Sequence, residues 1–518
     1  MFIINALHRA AQVRGGQVAS VHQDRSWTWA QVHERVARLG GALRDAGVAA
    51  GDRVAVLGWN SDRYLEAVLS VSWIGAVLVP LNTRLAAPEI ATLAQHAGAT
   101  MLLFDPEFVP MAQAARHACP GMRLITLGAS AALTDAPPSD ALIAQTAAVA
   151  DANPQPSDLM GIFYTGGTTG LPKGVMASHA NVAQQVTVHM TDLGWSPETI
   201  YLAVLPMFHL GGLTGAYCLL SLAARQHYVE KFDAAVFLER LAAEHITATG
   251  LSPVSIGWLL DSPRLHELDL SALRQLGYGT APITEAILRK AMALLPAVQF
   301  TQIYGQTEIT GTISVLRPQE HVLDGAAATR LRSAGRASWG IRVRVVDDNT
   351  QDVAPGTNGE ILARSPGVMQ GYWLDPVQTA STVRDGWLHT GDIGYLDADG
   401  FLFVVDRKKD MIVTGGENVF SSEVENAIAS CPGVAQVAVV GIPHAVWGEA
   451  VHAVVVPAMG ATLDAKEVIG HCRSLIAGYK CPKSVDIRNT PLPLSGVNKV
   501  QKHLLREAYW QGQSRRVS

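Results

Sequence analysis

A run of glycine and threonine residues at positions 164–174 constrains this chain more than any other segment. It reads Tyr-Thr-Gly-Gly-Thr-Thr-Gly-Leu-Pro-Lys-Gly and follows the apolar residues 159–163, which are typical of a buried strand. Glycines let backbone N–H groups approach phosphate oxygens, threonines add hydroxyl donors, and Lys173 supplies a compensating charge. The pattern predicts a strand that leads into a phosphate-binding loop.

This loop differs from the G-x-x-x-x-G-K-[ST] loop of other nucleotide-binding proteins. Because Lys173 follows Pro172 and precedes Gly174, no serine or threonine stands where that loop holds Mg²⁺. An ordinary glycine-rich turn with a surface lysine is the structural alternative, which so dense a run of glycine and threonine disfavours.

The rest of the sequence predicts an α/β chain of more than one domain. Its 518 residues exceed the usual size of one core, and 48% hydrophobic with 16% charged residues is typical of a well-packed protein. In the first third, helical periodicity alternates with short apolar runs, which predicts a mainly parallel sheet. Residues 129–156 predict a long surface connection, and the short strands at 342–346 and 360–363 predict a small β-barrel-like subdomain.

A charged cluster at residues 406–410 precedes a compact α+β unit. We therefore predict a large N-terminal domain of α/β sheets over residues 1–405, a hinge over 406–410 and a small, mobile α+β lid domain over 411–518. The fold class is α/β.

Composition excludes several functional classes. The net charge of −5 and the pI of about 6.4 argue against nucleic-acid binding. Five cysteines without a C-x-x-C pair favour neither a disulfide framework nor a zinc site, and no signal peptide is evident, so we expect a cytoplasmic protein. Residues 201–224 lack charge, but Pro206 and three glycines interrupt them, so we expect a buried pocket wall and no transmembrane segment.

Four more motifs follow the loop in a fixed order, at residues 205–209, 277–282, 304–308 and 387–392. Each is weak alone, since Tyr304 would more often be a core residue and Asp392 a turn residue. Together with the loop they closely resemble the adenylate-forming superfamily, which includes acyl-CoA synthetases, luciferases and the adenylation domains of peptide synthetases. The resemblance extends from about Thr28 to Leu505, and Gly166 stands where the family usually has serine.

The resemblance implies how ATP and Mg²⁺ are bound. Tyr304 would stack on the base, Thr307 would contact the α-phosphate, Glu308 would hold Mg²⁺, and Asp392 would accept the ribose hydroxyls. The implied ATP-binding residues are Thr165, Gly166, Gly167, Thr168, Thr169, Lys173, Gly279, Thr280, Ala281, Pro282, Tyr304, Gly305, Gln306, Asp392 and Arg407.

The resemblance also assigns roles near the end of the chain. Lys409 matches the pivot of the hinge, and Lys499 matches the catalytic lysine, with Lys502 as the rival. Asn498 replaces the usual glycine before that lysine and also tolerates a left-handed backbone. The implied CoA-binding residues are Gly415, Gly416, Glu417 and Lys480.

An ATP-dependent acyl-CoA ligase is the function implied by the family. A carboxylate would attack the α-phosphorus of ATP to give acyl-AMP and pyrophosphate, and CoA would then take the acyl group and release AMP. His209 is a candidate base for the thiol, and a structural histidine is the equal alternative. The implied acyl-pocket residues are Phe208, Gly212, Trp258, Tyr278, Gly279 and Ile303.

The acid itself is predicted to be hydrophobic. The segments expected to border the acyl site carry one formal charge, Glu308, so a second charge on the substrate would lack a partner. We expect a medium- or long-chain fatty acid or an aryl or arylalkyl monocarboxylate. The sequence does not decide between a monomer and a homodimer.

Other functions share these motifs. A stand-alone adenylation enzyme with another acceptor and a luciferase-type oxygenase remain open. A peptide-synthetase module is disfavoured because His209, and not an acid, follows Phe208. A nucleotide-binding pseudoenzyme would be expected to lose Glu308, Asp392 or Lys499, and all three are present.

Overall fold

The computed structural model describes residues 3–165, 173–495 and 499–510. The α-helices of these residues are α1 Ile3–Arg14, α2 Trp29–Asp45, α3 Asp62–Trp73, α4 Ala87–Ala97, α5 Val109–Ala118, α6 Ser139–Gln145, α7 His179–Asp192, α8 Leu210–Leu222, α9 Ala234–Ala243, α10 Pro253–Leu260, α11 Glu285–Leu294, α12 Pro376–Thr382, α13 Ser421–Ala429, α14 Ala465–Leu475 and α15 Lys502–Glu507.

The strands are β1 Val18–His22, β2 Arg25–Thr28, β3 Arg53–Leu57, β4 Val77–Pro80, β5 Ala99–Phe104, β6 Arg123–Thr126, β7 Leu159–Thr165, β8 Lys173–Ser178, β9 Ile200–Ala203, β10 Arg225–Tyr228, β11 Ala248–Leu251, β12 Gln275–Gly279, β13 Gln299–Gln306, β14 Gly311–Leu316, β15 Arg336–Ala337, β16 Arg342–Val346, β17 Gly359–Arg364, β18 Gly371–Tyr372, β19 Val383–Arg384, β20 Trp387–Leu396, β21 Leu402–Arg407, β22 Ile412–Thr414, β23 Glu417–Val419, β24 Val434–His444, β25 Gly448–Pro457 and β26 Ser484–Ile487.

Two large sheets organise the N-terminal part of the chain. One has nine strands in the order β15-β14-β13-β12-β11-β9-β10-β1-β2, and the other has seven in the order β18-β8-β7-β4-β3-β5-β6. Their central strands pair in parallel, and helices connect most of them, so the predicted α/β class is confirmed. The largest hydrophobic cluster includes Trp29 of α2, Leu213 of α8, Val56 of β3 and Tyr201 of β9, so helices pack between the two sheets.

Two smaller sheets complete the fold. Strands β16-β17-β20-β19, with β21 paired to β20, form an antiparallel sheet where the sequence predicts a barrel-like subdomain. After β21, strands β23-β22-β25-β24 and β26 form a sheet that packs against α13 and α14. Asp406 accepts hydrogen bonds from the backbone and side chain of Ser421, which ties the end of β21 to the start of α13.

Local signals explain most of the individual elements. Thr28 and Gln31 form the expected capping box at the start of α2. The uncharged residues 201–224 form β9 and the buried helix α8, and no helix in the described residues is long and apolar enough to cross a membrane. The predicted surface connection at 129–156 is corrected, because Ser139–Gln145 forms α6, which packs against α2 through residues such as Ile143.

Candidate active site

The buried carboxylate of Asp392, on β20, contacts side chains from two other strands, β13 and β21. Its Oδ2 accepts hydrogen bonds from the Tyr304 hydroxyl at 2.7 Å and from Gln306 Nε2 at 2.8 Å. Its Oδ1 lies 3.3 Å from Nε of Arg407, the last residue of β21. Asp392 is only 4% exposed, and these partners offset the cost of burying its charge. Four residues of the implied ATP set are therefore held together by direct contacts.

Strand β13, which carries Tyr304 and Gln306, approaches its neighbours β12 and β14 closely. β12 and β13 run parallel with Gly279 opposite Ile303, so their carboxyl ends share one edge of the sheet. A Cβ at Gly279 would lie 2.4 Å from the Ile303 carbonyl oxygen, and one at Gly305 would lie 1.9 Å from the Gly311 carbonyl oxygen. Glycine is therefore required at both positions, because any side chain would separate the strands.

The implied adenine loop follows at the same edge. Thr280 has a φ of +69°, which turns the chain out of β12, and Thr280 and Pro282 are exposed with Ala281 between them. This exposed loop follows β12, the strand that pairs with the Tyr304 strand β13, and its position suits contact with a flat base.

Glu308 lies in a short 3-10 turn, Thr307–Ile309, directly after β13. Its Oε1 accepts a hydrogen bond from the Tyr372 hydroxyl at 2.9 Å, and Lys173 Nζ lies 5.1 Å from the centre of the Tyr372 ring. Burial, and secondarily the charge of Glu308, raises the pKa of Tyr372, which therefore stays a hydrogen-bond donor. Tyr372 thus links the end of the phosphate loop to the implied metal ligand.

Glu308 fits a magnesium site of the kind that substrate phosphates complete. The described residues contain no cluster of three or more His, Cys, Asp or Glu side chains that could hold a metal ion. Mg²⁺ commonly takes one or two carboxylates together with phosphate oxygens and water, so a single hard oxygen ligand beside a phosphate loop is sufficient. Gly166, Gly167, Thr168 and Thr169 of that loop lie outside the described residues, whereas Thr165 and Lys173 border it on β7 and β8.

Lys499 of the C-terminal domain lies half-buried beside this cluster. Burial, and secondarily the charge of Arg407, lowers the pKa of Lys499 to about 8, while Asp392 favours the cation. Its backbone N–H donates to Ser495 Oγ at 3.2 Å, and Arg84 Nη1 donates to the Ser495 carbonyl at 2.9 Å. The lysine loop is therefore fixed to the N-terminal domain beside the nucleotide residues.

The rival lysine has a structural role. Lys502 Nζ lies 2.8 Å from Glu425 Oε1 and donates to Ser421 Oγ at 2.6 Å, within the C-terminal domain. Burial alone would lower the pKa of Lys502, but the charges of Glu425 and Asp406 outweigh it and raise the pKa. Asn498 lies outside the described residues.

A cavity of about 400 Å³ lies next to the lysine loop. Its walls include Phe208, Trp258 and Phe232, and the last two rings stack at 6.0 Å. Two cations, Arg84 and Lys231, also line it, and further lining residues include Leu205, Glu230, Leu251 and Leu494, the last from the C-terminal domain. An apolar wall with cations suits a ligand that carries both rings and phosphates.

Only two of the six implied acyl-pocket residues, Phe208 and Trp258, line this cavity. Tyr278 is 1% exposed, and its hydroxyl lies 2.9 Å from His321 Nε2 in a separate hydrophobic cluster. Strand alternation places Gly277 and Gly279 on the opposite face, so the prediction that Tyr278 flanks the acyl group is corrected. Gly212 packs against the carbonyls of Leu205 and Pro206, two residues of the cavity wall, and Gly279 packs against the Ile303 carbonyl on β13.

His209 immediately precedes α8, and its ring packs on Phe208 with centroids 4.6 Å apart. Burial, and secondarily the charge of Arg84, lowers the pKa of His209 to about 4, so the imidazole is neutral at pH 7. Its Nε2 has no hydrogen-bond partner among the described residues.

The implied CoA-binding residues lie on the C-terminal domain. Gly415 N–H donates to the Trp447 carbonyl at 2.9 Å, Gly416 completes the turn, and Glu417 begins β23. Lys480 Nζ lies 2.7 Å from Glu423 Oε1. Within the described part of the chain, no hydrogen bond or ion pair joins these residues to Asp392 or Lys499, so the structure places Lys499, and not the CoA loop, at the nucleotide cluster.

Sequence reasoning missed Tyr372, Arg84 and Trp447. Tyr372 reaches Glu308 because β18 pairs with β8, a contact between distant parts of the chain that no local pattern announces. Trp447 is 40% exposed beside the glycine pair, and an exposed tryptophan in a loop was the available signal.

With this geometry established, the chain can be compared with known proteins. It matches the family of AMP-binding enzymes over residues 7–373 and the C-terminal domain of AMP-binding enzymes over residues 423–499. The chain therefore belongs to this family of AMP-binding enzymes, and the resemblance to the acyl-CoA synthetase branch of the adenylate-forming superfamily is confirmed.

Three similar proteins illustrate the range of that branch. An indoleacetate–CoA ligase of Aromatoleum aromaticum is 37% identical over 510 residues, which cover 97% of each chain. A feruloyl-CoA synthase of an Amycolatopsis species is 36% identical over 503 residues, covering 97% of this chain and 98% of the relative. The structure of an amide bond synthetase from Marinactinospora thermotolerans superposes with a TM-score of 0.88 at 30% identity, covering 98% of this chain and 100% of the other.

Lys499→Ala is expected to lower the rate of adenylation at least about hundredfold, because it removes a cation that neutralises charge in the first transition state. Thioester formation from supplied acyl-AMP should be largely retained. Single-turnover assays of each half-reaction measure both rates. Lys502→Ala is the matched control: it leaves Glu425 buried without its partner, so the free energy of unfolding should fall by about 3 kcal/mol, with both half-reactions affected alike. A defect confined to the first step in Lys502→Ala would move the catalytic assignment.

The pKa of about 8 at Lys499 predicts how kcat/KM for ATP changes with pH. The cation is present below this pKa and is lost as pH rises through it, so kcat/KM for ATP in adenylation should fall above about pH 8. Arginine keeps its charge to higher pH, so in Lys499→Arg the fall in kcat/KM for ATP should occur at higher pH, even if the rate itself is lower. An identical pH dependence in both proteins would show that another group titrates.

Proposed function

We propose that this protein is an ATP-dependent acyl-CoA ligase that activates a hydrophobic monocarboxylic acid. The observation that carries the proposal is the buried Asp392 cluster, where residues implied to bind ribose and base meet Arg407 and the half-buried Lys499. Nucleotide-binding and charge-neutralising groups from both domains thus converge on one place, as adenylation requires.

In the first half-reaction the carboxylate attacks the α-phosphorus of ATP. A carboxylate is already ionised at neutral pH, so no general base is needed. Thr307 and Lys499 would stabilise the charge that develops on the α-phosphate, and the position of Lys173 suits the phosphates beyond it. Mg²⁺, held by Glu308 and phosphate oxygens, would neutralise the departing pyrophosphate.

In the second half-reaction the thiol of CoA attacks the acyl-AMP carbonyl, and AMP leaves. A base with a pKa of about 4 takes a proton from a thiol of pKa near 8.5 only poorly, so we infer that His209 shapes the site and is not the base. The cavity at Phe208 and Trp258 would receive CoA, since Arg84 and Lys231 suit phosphates better than an uncharged acyl chain.

The two half-reactions need different positions of the C-terminal domain. Leu494 lines the cavity, and the Ser495 carbonyl accepts a hydrogen bond from Arg84. Both contacts are made while Lys499 is at the nucleotide cluster. Rotation about Lys409 would withdraw this loop, open the cavity and bring in Gly415, Gly416 and Trp447. The same active site would thus serve both reactions in turn.

Charge supports the hydrophobic acid. Arg274, a cation shortly before the expected acyl segment at β12, is exposed and donates to the Ser271 carbonyl. The similar aryl-CoA ligases from Aromatoleum and Amycolatopsis are consistent with this class of acid. Transfer of the acyl group to another acceptor is the second candidate, favoured by the likeness to an amide bond synthetase.

A panel of acids tests the proposal. Pyrophosphate release and acyl-CoA formation should be measured with and without CoA for octanoate, cinnamate, acetate and malonate. Each buried methylene contributes about 0.8 kcal/mol, so kcat/KM for the hydrophobic acids should exceed that for acetate by at least about tenfold. Lys499→Ala is the control for contaminating activity. Acyl-AMP without acyl-CoA would indicate another acceptor, and preference for acetate or malonate would refute the hydrophobic pocket.

A further inference from the structure

A narrow open slot lies above Gly277 on the face of the nine-stranded sheet that packs towards α8. Gly250 of β11 pairs in register with Gly277 of β12, so two glycines lie side by side on this face. A Cβ at Gly277 would meet only the Thr249 carbonyl oxygen, at 3.8 Å, so the space above it is open. Gly279, two residues further along β12, is closed off by the Ile303 carbonyl oxygen, so a flat group could lie directly on the backbone only at Gly277.

Aromatic residues surround the far part of the slot. The Tyr201 hydroxyl oxygen lies 2.8 Å from the position that a Cβ of Gly250 would occupy, and Leu205 Cδ1 lies 3.2 Å from it. Trp195 packs edge-on against Tyr201, with ring centroids 5.0 Å apart, and its Cη2 would lie 3.7 Å from a Cβ at Gly215 of α8. Leu205 also lines the cationic cavity, so it separates that cavity from the slot.

Tyr201 presents a polar group in this apolar setting. The residue is 7% exposed, and its hydroxyl oxygen, unlike that of Tyr217, is not fully buried. Burial raises the pKa of Tyr201, so the group is a neutral phenol that can donate and accept. Leaving such a hydroxyl unpaired costs free energy, and an alkyl chain would leave it unpaired.

The distance matches an aromatic acid. Gly277 lies two residues before Gly279 on β12, which is about 7 Å along the strand. A carboxylate at the Gly279 end of β12 would therefore place an attached ring over Gly277, with its far edge at the Tyr201 hydroxyl, which lies above Gly250.

We propose that Tyr201 determines substrate specificity by hydrogen-bonding a polar group, such as a hydroxyl or a ring N–H, at the far end of a planar aryl or arylalkyl monocarboxylate. This inference rests on the proposed ligase function and narrows its substrate class to polar aromatic acids instead of fatty acids. A site built around such a hydroxyl discriminates against the analogue that lacks the polar group.

Matched pairs of acids and of variants test this role. The purified protein, Tyr201→Phe and Tyr217→Phe should each be assayed for CoA-dependent AMP formation with 4-hydroxycinnamate, cinnamate and octanoate. Tyr217 is the control, because its hydroxyl is buried without a partner among the described residues and its ring lies on α8 in the core. The native protein should favour the hydroxylated acid about tenfold in kcat/KM. Tyr201→Phe should reduce this preference to about onefold while cinnamate activity is kept, and Tyr217→Phe should leave it unchanged.

Gly277→Ala tests the slot without removing any hydrogen bond. Its methyl group fits the protein, so the melting temperature should be unchanged while kcat/KM for both aromatic acids falls at least about tenfold. An unchanged preference in an active Tyr201→Phe protein, or undiminished aromatic activity in Gly277→Ala, would overturn the inference alone. Absence of CoA-dependent AMP formation by the native protein with every acid would overturn the proposed function as well.

Discussion

The burial of one carboxylate, that of Asp392, determines how this site is assembled. An ionised carboxylate in the interior is tolerated only when hydrogen bonds and opposite charge replace its water. Tyr304 and Gln306 at the end of β13 and Arg407 at the end of β21 supply these partners. The nine-stranded sheet and the antiparallel subdomain must therefore meet at this point, and the last of these partners, Arg407, lies within the predicted hinge at 406–410.

The same electrostatics governs the C-terminal domain. Burial lowers the pKa of Lys499 to about 8, with the charge of Arg407 adding to this effect and that of Asp392 opposing it. Negative charge from ATP would favour the cation further, whereas release of pyrophosphate would remove part of that attraction. We infer that the charge of the bound nucleotide determines whether the lysine loop stays at the cluster. Loss of that charge with pyrophosphate would then set the order of the two half-reactions.

The sequence was informative where chemistry is local and less so where it depends on packing. The capping box at Thr28 and Gln31 and the buried residues 201–224 follow from short-range patterns, and the structure has them as expected. Tyr278 was misplaced because strand alternation, and not proximity to a motif, decides the face on which a side chain lies. Tyr372 and the slot at Gly250 and Gly277 depend on strand pairing between distant segments, which no single motif reveals.

The central claim is that one active site carries out both half-reactions by turning the C-terminal domain about Lys409. The most direct measurement compares acid-dependent ATP–pyrophosphate exchange with acyl-CoA formation in Lys409→Pro and in Lys409→Ala. Proline fixes φ near −65° and would block the turn, whereas alanine removes the same side chain and leaves the backbone free. The account predicts that exchange persists in both variants while acyl-CoA formation is lost in Lys409→Pro alone. Undiminished acyl-CoA formation by Lys409→Pro would contradict it.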